Sequence, residues 1–305
     1  MYYFKHLYRR DIINYKDFFG AKLIAKVQKS QRFHKPGYVS LLNNKLNFSL
    51  YCEKHKLPTP NIIGHNFGSN FIYANNVREI LNETELIDFY EHAFAAINAD
   101  SIFFRPLSLL GGEGCFKLNR DTLSEQLAMK YGDLINGDFI HTEVISQHPK
   151  INTIYEKSIN TLRLMTHMEN GRVGIISSFM RFGTGGSVVD NSTSGGLSVG
   201  INHKTGTLKG KSYTDMKFGG GELEGHPDTG ITFHQFQIPF YQEACELAIN
   251  AATYIPNGII GWDIAITPTG PTIIEGNENP TFFVPDVLDG GLLQNQEMQK
   301  VIARL

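Results

Sequence analysis

Residues 258–280 carry two carboxylates and an amide whose spacing suits a cation: Asp263, Glu275 and Asn277. The β-rich runs 260–266 and 271–276 flank Thr267-Pro-Thr-Gly270, whose proline and glycine mark a turn, so the segment reads as an antiparallel hairpin. With Thr267 facing Pro271, Asp263 falls opposite Glu275, and Asn277, two residues on, shares that face. Like charges so placed repel. An all-oxygen set calls for Mg²⁺ or Mn²⁺. The plainer reading is a solvent-facing hairpin with two scattered acids.

Other residues could handle phosphate oxygens. Leu107-Ser-Leu-Leu-Gly111-Gly-Glu-Gly114-Cys-Phe-Lys117 is a glycine-rich turn between two strands, and glycines let backbone N–H groups approach a phosphate with no Cβ in the way. Arg105 ends the strand before it. Arg163 and Arg181 lie in two alternating strands joined at Glu169-Asn-Gly171, a good hairpin turn. Both sit among apolar residues, and a buried guanidinium alone is costly, so each should meet a carboxylate or a phosphate.

Gly261-Trp-Asp263 followed by Gly270-Pro-Thr-Ile-Ile-Glu275-Gly-Asn277 resembles the C-terminal metal-binding signature of the ATP-grasp superfamily, in which an Asp and a Glu-x-Asn hold the magnesium of MgATP. The resemblance spans Lys45 to Pro280 and implies that Asp263, Glu275 and Asn277 are the metal ligands. It places Lys45, on an early helix, near the ATP phosphates, and sets a lid of Gly111, Gly112 and Gly114, with Lys117 behind it, over the nucleotide. Arg105 stands where the family has lysine, which keeps the charge and replaces a point ammonium by a planar fork. A strand ending at Glu143, followed by Val144 and Ile145, matches the link between subdomains whose backbone bonds the adenine edge. Arg163, Arg181 and Asn191, with Gly195 and Gly196 after it, resemble the catalytic succession of ATP-grasp peptide ligases such as the ribosomal-protein glutamate ligases. His226-Pro-Asp-Thr-Gly230 looks like the sugar-transfer-associated branch; His226 either acts on the acceptor or caps a turn.

The elements that would position these groups follow from periodicity and punctuation. Residues 1–30 read as helices with a basic outer face of Lys5, Arg9, Arg10 and Lys16, open to solvent or to peripheral contact with an anionic membrane or a lipid-linked substrate. Residues 41–60 read as one helix stopped by Pro58 and Pro60. Asn82-Glu-Thr-Glu85 caps a helix that turns Leu86, Phe89, Phe94 and Ile97 inward, with Asn98 near its end. A short helix over 121–131 capped by Asp121, a strand over 138–145, and helices over 239–254 and 292–305 complete the set, while 219–230 reads as a long loop.

A formal net charge of −2 and no aromatic-basic module argue against nucleic acid as a partner. No apolar run reaches the ~18 to 20 residues of a membrane span, and the first thirty residues are too charged for a signal peptide, so the expectation is a cytoplasmic protein. Cys52, Cys115 and Cys245 are widely separated and read as buried thiols. No feature indicates an oligomeric state. The resemblance implies an α+β ATP-grasp fold with two α+β subdomains clasping ATP: a helical N-terminal region over 1–59, a lid subdomain over 60–145, and a C-terminal subdomain with the metal site over 146–305. The implied cofactors are ATP and Mg²⁺ or Mn²⁺. The implied reaction activates a small-molecule carboxylate as an acyl phosphate and joins it to an amine, less often a thiol, on a sugar or surface-polysaccharide precursor. Two alternatives stay open: a phosphotransferase acting on a hydroxyl, and a non-catalytic nucleotide-binding protein, which Arg105 in place of lysine favours.

Overall fold

A computed structural model describes residues 13–74, 76–97, 99–109 and 111–305. Lys5, Arg9 and Arg10 of the expected basic face lie outside the described residues, as do Asn98 and Leu110. In chain order the helices are α1 (Ala21–Gln28), α2 (Pro36–Asn43), α3 (Lys45–Lys54), α4 (Glu83–Ile97), α5 (Leu123–Asn136), α6 (Pro149–Asn152), α7 (Tyr241–Tyr254), α8 (Phe283–Leu288) and α9 (Gln296–Ile302). The strands are β1 (Ile62–Phe67), β2 (Asn70–Tyr73), β3 (Asn76–Glu79), β4 (Ser101–Pro106), β5 (Phe116–Asn119), β6 (Asp138–Glu143), β7 (Thr161–Glu169), β8 (Arg172–Phe182), β9 (Leu197–Asn202), β10 (Thr207–Thr214), β11 (Ile259–Thr267) and β12 (Gly270–Asn277). The class is α+β, with two antiparallel sheets in two compact units.

One unit comprises Asn43–Ser146. Its sheet runs β3-β2-β1-β6-β4-β5, and one face is buried with α4 and α5 in a core that includes Phe71, Leu86, Phe94, Phe104 and Leu127. The start of α4 is the expected reciprocal cap: Asn82 Oδ1 accepts from the Glu85 N–H at 3.0 Å, and Glu85 Oε2 accepts from the Leu81 N–H at 2.9 Å. On the other face, Leu46 of α3 packs with Ile62, Leu107 and Ile140.

The other unit joins the described residues up to Leu42 to Gln147–Leu305. Its sheet runs β10-β9-β8-β7-β11-β12. Alternation along β7 and β11 sends Leu162, Leu164 and Trp262 to one face, where the indole Nε1 donates to Thr166 Oγ1 at 2.8 Å, and Thr161, Arg163 and Asp263 to the other. The β7–β8 turn is the expected one, with Asn170 and Gly171 both at positive φ.

Several expected elements differ in extent. The single helix over 41–60 is two helices, because Asn44 leaves the helical conformation and caps α3, its Oδ1 accepting from the Asn47 N–H at 2.9 Å. The helix expected at 121–131 is longer and starts after a 3₁₀ turn, Arg120–Thr122, with Thr122 rather than Asp121 at its N-cap. At the C-terminal end Asn295 restarts the chain in the same way, so 292–305 divides into a 3₁₀ turn and α9. Cys52 and Cys245 are buried, whereas Cys115 is half-buried. No helix among the described residues is long and apolar enough to cross a membrane.

Candidate active site

The β11–β12 hairpin places Asp263 opposite Glu275 and Gly261 opposite Asn277, but by another route than a Thr267–Pro271 pairing. Thr267 faces Gly270, one residue earlier, and Ile264 faces Ile273. A β-bulge at Ile274 absorbs the difference and restores the register at the acids. Asn277 Nδ2 donates to Glu275 Oε1 and to the Gly261 carbonyl, each at 3.3 Å.

Asp263 is 2% exposed and is held by two arginines from neighbouring strands. Arg163, directly opposite on β7, grips it in bidentate fashion: Nε donates to Oδ1, and Nη2 to Oδ2 at 2.9 Å. Arg181 Nη2 reaches the same Oδ2 at 2.9 Å. Gly261 leaves room for Pro280, since a Cβ there would stand 2.8 Å from the Pro280 Cβ, while it would only touch Arg163 Nη1 at 3.4 Å. Burial alone would raise the Asp263 carboxyl, but Arg163 and Arg181 overcome it, with Glu275 in hydrogen-bonding reach, and hold it down at about 2. Burial likewise opposes the Arg181 charge, and Asp190, Asp263 and Glu275 outweigh it and raise its pKa. Arg163 and Arg181 thus each meet a carboxylate, as their apolar setting required.

Asn191 caps the 3₁₀ turn Ser192–Ser194, and its carbonyl accepts from the N–H groups of Ser194 and Gly196 at 3.0 Å. Among the described residues no hydrogen bond joins its side chain to Arg163 or Arg181. The residue before it, Asp190, was not singled out by its sequence, yet its carboxylate reaches Arg181 Nε at 3.4 Å and Thr161 at both N and Oγ1. The available signal was a carboxylate owed to a second buried arginine. His226 is buried with both ring nitrogens engaged: Nε2 lies 2.8 Å from the Gly183 carbonyl, and Nδ1 accepts from the Asp228 N–H at 3.3 Å. It closes a turn.

In the Asn43–Ser146 unit, Arg105 is 4% exposed on β4, and the register Phe103↔Lys117 puts Lys117 on the same sheet face. Lys45, the first residue of α3, donates its N–H to Leu107 O at 3.0 Å and its Nζ to Leu109 O, which ties it to the start of the glycine-rich turn. Gly111, Gly112 and Gly114 all take positive φ, and a Cβ at Gly114 would stand 2.9 Å from Pro106 Cγ. Glu143 ends β6 with its carboxylate on Asn61, accepting from the backbone N–H and from Nδ2 at 3.0 Å each. Val144 is exposed and Ile145 half-buried, both outside regular structure.

The donor set fits a hard cation. Arg163 and Arg181 bring two positive charges against three negative ones on Asp190, Asp263 and Glu275, which leaves the cluster one negative charge in excess. Glu275 and Asn277 are half-buried and present oxygen ligands. Among the described residues no group of three or more His, Cys, Asp or Glu is placed to hold a metal, so the set here is two carboxylates and an amide.

Comparison with known proteins bears on the fold and the family. Among solved structures, D-alanyl-alanine synthetase A from Vibrio cholerae is similar over 89% of this chain and 65% of its own, at 12% identity and a TM-score of 0.51. An N5-carboxyaminoimidazole synthase from Aspergillus clavatus covers 81% of this chain and 47% of its own, at 10% identity and a TM-score of 0.46. The ATP-grasp ligase PsnB complexed with minimal precursor covers 90% and 64%, at 11% identity and a TM-score of 0.48. The chain thus spans less than two thirds of each of these structures, and the first of them shows a shared fold. No curated protein matches the chain. The sequence model of the family described as sugar-transfer associated ATP-grasp matches residues 128–302, more than half of the chain. The chain belongs to the sugar-transfer associated ATP-grasp family.

Proposed function

We propose that this protein is an ATP-dependent ligase that activates a carboxylate and joins it to an amine, with a sugar or surface-polysaccharide precursor supplying one partner. The observation that carries the reading is the buried Arg163–Asp263–Arg181 cluster adjoining Glu275 and Asn277 on one sheet face. In this reading Asp263, Glu275 and Asn277 hold Mg²⁺ or Mn²⁺, which when bound neutralises charge on the nucleotide phosphates. Lys45, Arg105 and Lys117, with the N–H groups around Gly111, Gly112 and Gly114, bind those phosphates, and the backbone of Glu143, Val144 and Ile145 meets the adenine.

A carboxylate oxygen of the substrate attacks the γ-phosphorus, ADP leaves, and an acyl phosphate results. The amine nitrogen then attacks the acyl carbon, inorganic phosphate leaves, and the amine proton passes to solvent. Both stages build negative charge on phosphoryl or acyl oxygens. Arg163 and Arg181, preoriented by Asp263, stabilise it without reorganising, and Asn191 supplies a further polar contact. His226 plays no part in proton transfer, since both its ring nitrogens are committed to backbone groups.

The test is an acyl-phosphate trap. The protein is incubated with ATP, Mg²⁺, a panel of uronic and amino acids, and hydroxylamine. The reading expects a hydroxamate and an equal amount of ADP with at least one acid. ADP release that needs a hydroxyl acceptor and yields no hydroxamate would establish a phosphotransferase instead.

A further inference from the structure

Arg181 is held from two sides, and only one of them is the metal hairpin. Thr161 Oγ1 lies 3.0 Å from Arg181 Nε and 2.6 Å from Nη2, and 2.6 Å from Asp190 Oδ2. The proton positions follow from chemistry alone. A guanidinium only donates and a carboxylate only accepts, so the Thr161 hydroxyl must accept from Arg181 and donate to Asp190. The same Oδ2 takes the Thr161 backbone N–H at 2.8 Å and lies 3.4 Å from Arg181 Nε. Asp190 is 8% exposed and Thr161 5%, so water competes weakly for these bonds.

We infer that Asp190 and the Thr161 hydroxyl are a positioning pair that fixes the orientation of Arg181 for the transferring phosphoryl group. Two of the three guanidinium nitrogens, Nε and Nη2, are anchored on Thr161, while Nη2 also meets Asp263, so the plane of the fork cannot swing. The pair also couples Arg181 to the Asn191 turn. Asp190 is the residue before that turn, and its carbonyl packs so closely on Gly196 that a Cβ there would stand 2.3 Å away. Thr161 and Arg163 share a face of β7, so one strand orients both arginines.

This inference rests on the phosphate role given to Arg181 above, and the test separates the two. Thr161→Val keeps shape and charge while removing the bridge. Asp190→Asn is the second variant, and each is also combined with Arg181→Ala. Calorimetry of Mg²⁺ with ADP, and with the non-hydrolysable ATP analogue AMPPNP, gives a preference ratio for the terminal phosphate in each protein, with circular dichroism to confirm folding. Arg181→Ala should lower the ratio by about tenfold or more, the loss of a charge-assisted hydrogen bond. Thr161→Val and Asp190→Asn should each lower it by about 3- to 10-fold, and neither should lower it further once Arg181 is gone. A wild-type ratio in folded Thr161→Val, or losses that multiply in the double variants, would overturn the positioning role alone. An unchanged ratio in Arg181→Ala would remove the phosphate role and this inference together.

Discussion

Asp263→Asn is the substitution on which the arginine cluster makes its sharpest demand. Asparagine keeps the shape and one acceptor but sets an NH₂ against guanidinium N–H groups that now donate to a carboxylate. Breaking a buried ion pair by removing one partner costs about 3–5 kcal/mol. Arg181 keeps Thr161 and Asp190, so the loss falls mainly on Arg163 and the lower end, about 3 kcal/mol, applies. For a unit of this size that lowers Tm by roughly 6–12 °C. Thermal unfolding at pH 7, followed by the near-ultraviolet signal of Trp262 in the same unit, reads it directly. The pH sign is fixed as well. The folded carboxyl titrates near 2 against 3.8 ordinarily, so its stabilisation is complete above pH 3.8 and is lost as pH falls through about 2. The gap between wild type and variant should therefore hold down to about pH 4 and shrink below it. Combining Asp263→Asn with Arg163→Met removes the orphaned charge and should recover part of the loss. A variant melting within about 2 °C of wild type would mean that the Arg163–Asp263 pair does not stabilise the fold, since a pair this buried cannot be silent when halved.

Gly196→Ala should lower Tm by several degrees and disturb the Asn191 turn, because the added Cβ meets the Asp190 carbonyl at 2.3 Å; differential scanning fluorimetry checks it. His141 is buried between Asn66 and Tyr90 with its pKa lowered by burial, and then by His65, to about 3. The unfolded chain therefore binds the extra proton below about pH 6.5, which costs the wild type about 2 kcal/mol by pH 5. Urea titrations should show His141→Gln losing less stability than wild type between pH 7 and pH 5. Arg105→Ala should weaken ADP binding about tenfold or more while Arg105→Lys retains part of it, as measured by calorimetry.

Much of this architecture was legible because local chemistry and tertiary structure agree. The Asn82–Glu85 cap and the Asn170-Gly171 turn are set by residues a few positions apart, and both form as their sequences require. The Asp263–Glu275 pairing could be read from hairpin counting, but the bulge at Ile274 could not. It compensates a turn one residue tighter than the count assumed, and packing on both sheet faces decides such a shift. Helix ends failed where asparagine intervened: Asn44 and Asn295 look helical in apolar periodicity, yet their side chains cap the next helix instead. The need of Arg163 and Arg181 for counter-charges was legible from their apolar surroundings. That Asp263 would serve both, and that Thr161 would bridge Arg181 to Asp190, depends on strand order β8-β7-β11, which no single segment encodes.

In the proposed site Asp263, Glu275 and Asn277 together bind the metal of a metal–nucleotide complex, with the arginines holding Asp263 in place. Electron paramagnetic resonance titration of Mn²⁺ with ADP measures this without any knowledge of the acceptor. Wild type should immobilise Mn²⁺ in an ADP-dependent manner, and Glu275→Gln should weaken that binding at least about tenfold with Tm unchanged, since it removes one charged ligand from a half-buried position. Equal Mn²⁺ affinity in wild type and in folded Glu275→Gln would rule out this metal site.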